Sequence, residues 1–125
     1  MREILFKAKS ENIDGTFDWC EGYLSKCEGE WTICNDDGIG VFIDENTICQ
    51  YTGMTDKKGK KIWENDRCEV YRFCVFAHGT IKFLEGCFCF VEDGTGNILR
   101  LCDIRTNNYE IKVVGGMDDG RNRIW

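Results

Sequence analysis

Proline is absent from this chain of 125 residues, and histidine occurs once, at His78. Only two serines are present, Ser10 and Ser25. Neither serine stands in a nucleophile-elbow context, so hydrolysis by a triad is not expected. A catalytic or metal-binding histidine needs partners, and any cysteine nucleophile would have to recruit His78; its setting, Ala77-His78-Gly79-Thr80, reads instead as a hairpin turn. Also missing is any uninterrupted apolar run of the length that a secretory signal or a membrane span requires, since Lys7 and Lys9 follow soon after Met1. A cytosolic protein is therefore expected.

Cysteine is plentiful, but its pattern is negative. The nine residues Cys20, Cys27, Cys34, Cys49, Cys68, Cys74, Cys87, Cys89 and Cys102 are an odd number and contain no C-x-x-C pair. In a reducing compartment they read as small apolar fillers rather than as a disulfide framework. Cys87 and Cys89 point the same way along a strand, and Cys74 or Cys102 could join them across a sheet, yet nothing fixes a zinc geometry. No metal and no cofactor are expected.

Net charge is -6. That argues against generic attraction to phosphate backbones, which depends on accumulated Lys and Arg. The distribution is uneven, however. Lys57, Lys58, Lys60, Lys61, Arg67 and Arg72 face only Glu64, Asp66 and Glu69 between positions 57 and 72. This +3 segment leaves the rest of the chain at -9, so a local anion site survives the global objection.

Fourteen glycines, mostly inside turn signals, separate short segments rich in aromatic and β-branched residues. The segments are Phe17 to Leu24, Glu30 to Cys34, Gly40 to Ile43, Arg67 to Phe76, Thr80 to Phe83, Cys87 to Glu92, Ile98 to Leu101 and Tyr109 to Val114. Strands at this spacing predict a mainly β chain, a small barrel or meander. At most a single helical turn is expected, near Asp44 to Ile48 or Leu101 to Arg105. In Cys87-Phe88-Cys89-Phe90 the rings share one face and the thiols the other, so both faces can be buried. The carboxylate pairs Asp36-Asp37, Glu92-Asp93 and Asp118-Asp119 fall in turns, where such side chains bond local backbone N–H groups, and they read as turn formers.

The stretch from Gln50 to Val70, QYTGMTDKKGKKIWENDRCEV, holds glycines and lysines but not the G-x-x-x-x-G-K-[ST] of a phosphate loop, because Lys61 is followed by Ile62. What remains is a mixture of Tyr51, Trp63, Lys60, Lys61, Arg67 and Arg72. Aromatic faces with cations can stack a nucleobase and hold its phosphates; alternatively the rings pack in the core and the lysines are solvated.

The block from Thr47 through Asp66, with Met1 to Ala8, Trp19 to Leu24, Gly79 to Phe83 and Ile111 to Gly115, resembles the YopX-like family of bacteriophage and prophage proteins. The resemblance implies a small N-terminal β meander followed by an SH3-like β-barrel, with little helix. The boundary is expected near Asp44 to Thr52, giving residues 1–48 and 49–125 as subdomains, with a single compact unit as the alternative. No catalytic residues come with the resemblance. It implies the host bacterial cytoplasm as the setting. Two departures stand out: Asn65 takes the place of a glycine at a turn, where its tolerance of positive φ would keep the turn, and Arg67 replaces an apolar residue. The ending from Asp118 to Trp125 also differs.

These readings combine into one expectation: a phage-encoded, non-enzymatic binding protein that counters a host defence. It would either sequester a small nucleotide-type signal, as a homo-oligomer with Tyr51, Lys60, Lys61, Trp63, Arg67 and Arg72 around the ligand, or occlude a host protein through its acidic surface. The alternatives are a nucleic-acid-binding accessory barrel and a small enzyme using carboxylates that carry no motif.

Overall fold

The computed structural model describes residues 4–115; the Asp118-Asp119 turn and the Trp125 ending lie outside them. These residues fall into two compact units, one running to Tyr51 and the other beginning at Thr52. The chain is mainly β, as expected, with two antiparallel sheets and one short α-helix.

In the first unit β1 (Phe6–Glu11), β2 (Phe17–Cys27), β3 (Glu30–Cys34) and β4 (Gly40–Phe42) form a meander in sequential order. β1 also takes the start of β5 (Cys49–Thr55) on its free side, through Phe6↔Gln50 and Lys7↔Cys49. Alternation along the strands sends Ala8, Cys20 and Ile33 into a core that Phe6, Leu24, Val41, Ile43 and Ile48 extend. A single 3-10 turn at Glu45–Thr47 precedes β5, with the Asp44 side chain accepting from the Asn46 N–H.

β5 crosses into the second unit, where β6 (Lys61–Trp63) is its neighbour. The rest of that unit is a five-stranded antiparallel sheet. Its strands are β7 (Arg67–Arg72), β8 (Val75–Leu84), β9 (Cys87–Glu92), β10 (Ile98–Arg100) and β11 (Glu110–Gly115), and its order is β10-β9-β8-β7-β11. The helix α1 (Leu101–Thr106) follows β10 directly. The core gathers Ile62, Cys68, Val70, Ile81, Phe90, Leu101, Ile104, Ile111 and Val113.

The expected SH3-like barrel is corrected in one respect: it is not closed, and β10 and β11 are the ends of its sheet. The reason is local: β10 has only three residues before the chain turns into α1, and Leu101 and Ile104 of that helix, rather than a further strand, cover the core. On β9 both faces are buried, since the adjacent Cys89 and Phe90 are each almost fully enclosed.

A second correction concerns His78. The expected strand from Arg67 to Phe76 is broken by a two-residue turn at Phe73 and Cys74, whose φ values are 50° and 61°. No glycine or asparagine marks that turn. His78 consequently lies inside β8, opposite Glu69, with its Nε2 3.0 Å from the Glu69 carboxylate. Gly79 is likewise a strand residue: a Cβ there would lie 2.2 Å from the Val91 carbonyl oxygen and 2.9 Å from the Phe90 ring. Its glycine permits close packing rather than a turn.

Candidate functional site

The lysine-rich loop between β5 and β6 is organised by one carboxylate. Asp56 is 6 % exposed. Its Oδ1 accepts the backbone N–H groups of Lys58 and Lys60, each at 2.9 Å, and its Oδ2 accepts that of Val113 at 2.9 Å. Backbone bonds from Asp56 N–H to the Lys60 carbonyl and from Gly59 N–H to the Asp56 carbonyl close the turn, with Gly59 at φ 83°. Burial pushes the Asp56 carboxyl up, but the donors Val113, Lys60 and Lys58, with the Lys60 charge, hold it below the ordinary aspartate value. The N–H groups of Lys58 and Lys60 that could have cradled a phosphate are already spent on this carboxylate.

Asp66 repeats the device one turn later. It is buried, and its Oδ2 accepts the Trp63 N–H at 2.8 Å. Asn65 adopts φ 71°, so it does take the left-handed backbone of a turn glycine.

The six residues expected around a ligand are placed as follows. The rings of Tyr51 and Trp63 are 7 % and 3 % exposed, which leaves neither with an open face for stacking. Lys60 is exposed and Lys61 half-buried in the Asp56 loop region. Arg67 and Arg72 stand at opposite ends of β7 and, by strand alternation, on opposite faces, about 17 Å apart along the strand. The Arg67 guanidinium donates to Thr80 Oγ1 at 2.7 Å and forms a two-pronged ion pair with Asp93. The Asp93 pair keeps the Arg67 proton bound even more firmly than usual and holds the Asp93 carboxyl low. Arg67 thus ties β7 to β8 and to the turn after β9.

Arg72 alone of the six belongs to a different assembly. Its guanidinium lies 5.5 Å from the centre of the Phe73 ring and 5.7 Å from that of Tyr109, and those two rings meet edge-on at 5.7 Å. Tyr109 in turn lines a cleft of about 470 Å³ in the second unit, walled by Gly53–Lys57 on one side and by Ile104, Arg105 and Asn108–Ile111 on the other. Lys57 pairs with Glu110 at 3.4 Å across this cleft. Arg105 has no ion-pair partner among the described residues. Asn108, at φ 56°, makes the tight return from α1 that brings Arg105 and Tyr109 to one wall.

The cleft lining sets Lys57 and Arg105 against Asp56 and Glu110, a formal balance of zero within a chain of -6, and Arg72 adds a further cation beside Tyr109. Both carboxylates are engaged, one by backbone donors and the other by Lys57. The arrangement can hold an anion, with an aromatic side to the site. Sequence reading missed Arg105, Asn108, Tyr109 and Phe73. Only the Asn107-Asn108 pair carried a local signal, that of a turn.

The scaffold is open and mainly β, with Asp56 and Asp66 buried in turns and a small cleft beside its helix. The chain belongs to the YopX family, whose family model, described as YopX protein, matches residues 4–118. No curated protein and no solved structure matches it.

Proposed function

We propose that this chain is a phage-encoded, non-enzymatic binding protein that acts in the host bacterial cytoplasm and counters a host defence by sequestering a small anionic signal of the nucleotide type. The observation that carries this reading is Arg105, a guanidinium without an acidic partner beside Lys57 and Tyr109 in one cleft. Such a group is a ready donor for phosphate oxygens, and Arg is well suited to that geometry. Two engaged carboxylates favour holding a ligand over transforming it. Among the described residues no helix is long and apolar enough to cross a membrane.

Native mass spectrometry of the protein purified from infected cells tests the reading. A retained small-molecule mass, lost from Arg105→Ala, is the expected result. A protein that stays bare, and that binds neither pyrophosphate nor nucleoside diphosphates in calorimetry, rejects it. Co-purification of a host protein instead would favour occlusion, for which the exposed Phe73, Val75 and Phe76 offer an apolar contact.

A further inference from the structure

Phe73 is the most unusual residue at the edge of this cleft. Its ring is 77 % exposed. Its backbone, with that of Cys74, adopts the successive positive φ angles of a tight hairpin turn that Asn-Gly or Gly-Gly accepts readily and that a bulky side chain disfavours. The core of the unit does not contain Phe73. The fold therefore keeps a largely exposed aromatic residue on strained backbone, its ring contacts being Tyr109 and Arg72. Strain held at one place in a scaffold points to function there.

The ring's neighbours indicate which function. Tyr109 meets it edge-on at 5.7 Å, and Arg72 lies over both rings, so the pair is braced from one side while much of the Phe73 ring stays open. Tyr109 is also a cleft wall, shared with Arg105 and Lys57. Through Tyr109 the cleft that holds Arg105 and Lys57 thus borders an exposed aromatic ring. A flat π-system joined to an anionic group is the chemistry that complements both parts at once.

We infer that the Phe73–Cys74 turn is the base-stacking lip of the anion cleft: the ligand's base lies on the Phe73 ring while its phosphates reach Arg105 and Lys57. This assignment rests on the anion-binding reading above. It names the ligand class as an aromatic nucleotide rather than an inorganic or aliphatic anion.

Two probes separate the lip from the cleft in isothermal titration: inorganic pyrophosphate, and the nucleoside diphosphates ADP, GDP, CDP and UDP. Phe73→Asn is the informative variant, because asparagine tolerates the left-handed backbone and keeps the turn while removing the ring. Phe73→Tyr restores a ring. The expected result is that Phe73→Asn weakens the best-bound diphosphate about 10-fold or more, the usual worth of one stacked base, and leaves pyrophosphate within about 2-fold. Phe73→Tyr should bind like the wild type. Diphosphate affinity unchanged in Phe73→Asn overturns the lip and leaves the anion cleft standing. Equal loss of both probes in a variant with an unaltered circular dichroism spectrum also overturns it. Failure of the wild type to bind any probe overturns the cleft reading, and the lip with it.

Discussion

Asp56 Oδ2 accepts the backbone N–H of Val113 at 2.9 Å, from a residue 57 positions further along the chain. The same carboxylate closes its own loop through Lys58 and Lys60, so it joins a local turn to the last strand of the sheet. Removing it leaves three donors unmatched in a largely buried place. Asp56→Ala should lower unfolding stability by about 3 kcal/mol or more, read from urea denaturation.

Acid should act through the same group. The folded-state pKa of Asp56 lies below its ordinary value of 3.8, so its contribution is complete above that value and is lost as pH falls through the lower, folded one. Wild-type stability should therefore drop more steeply than that of Asp56→Ala below about pH 4. Parallel curves would remove Asp56 as the source.

Gly79→Ala should destabilise strongly. The added methyl would lie 2.2 Å from a backbone oxygen of β9, where no rotamer change can relieve it. A loss of about 3 kcal/mol or a failure to fold is expected. Gly59→Ala meets no neighbouring atom, and its cost is limited to the strained φ of 83°, about 1 kcal/mol.

Arg67→Ala and Arg105→Ala should separate structure from binding. Arg67 makes an exposed ion pair with Asp93, and solvent screening leaves such pairs little weight in stability. Its loss should lower the melting temperature slightly and leave anion affinity unchanged. Arg105→Ala should leave stability within about 0.5 kcal/mol and weaken pyrophosphate about 10-fold. The opposite pattern would move the site to the Arg67 end of β7.

The thiols should divide by exposure. Burial pushes Cys20 up to about 11, and burial together with the charges of Asp66 and Asp56 pushes Cys68 up to about 12. Cys27, Cys74 and Cys102 are exposed. A thiol reagent at pH 8 should label these three in the folded protein and reach Cys20 and Cys68 only after denaturant is added. Early labelling of Cys68 would contradict the packing of the second unit.

The mainly β class was legible because turn glycines and β-branched runs are local signals. The bounds of β3 and β9 could be read directly. β1 was hidden because Lys7 and Lys9 stand in it between the small Ala8 and Ser10, so its alternation is not one of apolar bulk. The β7–β8 turn was hidden because Phe73-Cys74 carries the composition of a strand and the backbone of a turn, and missing it pushed the expected reversal on to His78. The cleft is less visible still. Its walls come from Gly53–Lys57 and from residues after position 103, brought together by the bond from the Lys57 N–H to the Ile111 carbonyl and by the Asp56–Val113 bond. Single-sequence periodicity carries no record of such a meeting. The cations nearest the signature, Lys60 and Lys61, drew attention because they cluster in sequence, whereas Arg105 stands alone in its helix.

Asp56, Gly59 and Asp66 have one thing in common: each shapes backbone, Asp56 by accepting from Lys58, Lys60 and Val113, Gly59 by its φ of 83°, and Asp66 by accepting from Trp63. The block that makes the chain recognisable is therefore a description of scaffolding. Arg105, Tyr109 and Phe73 lie outside it and are free to change without disturbing a single one of those bonds. The carboxylates that hold the loop and the side chains proposed to hold a ligand are thus separate sets, so that a substitution in one set leaves the bonds of the other in place.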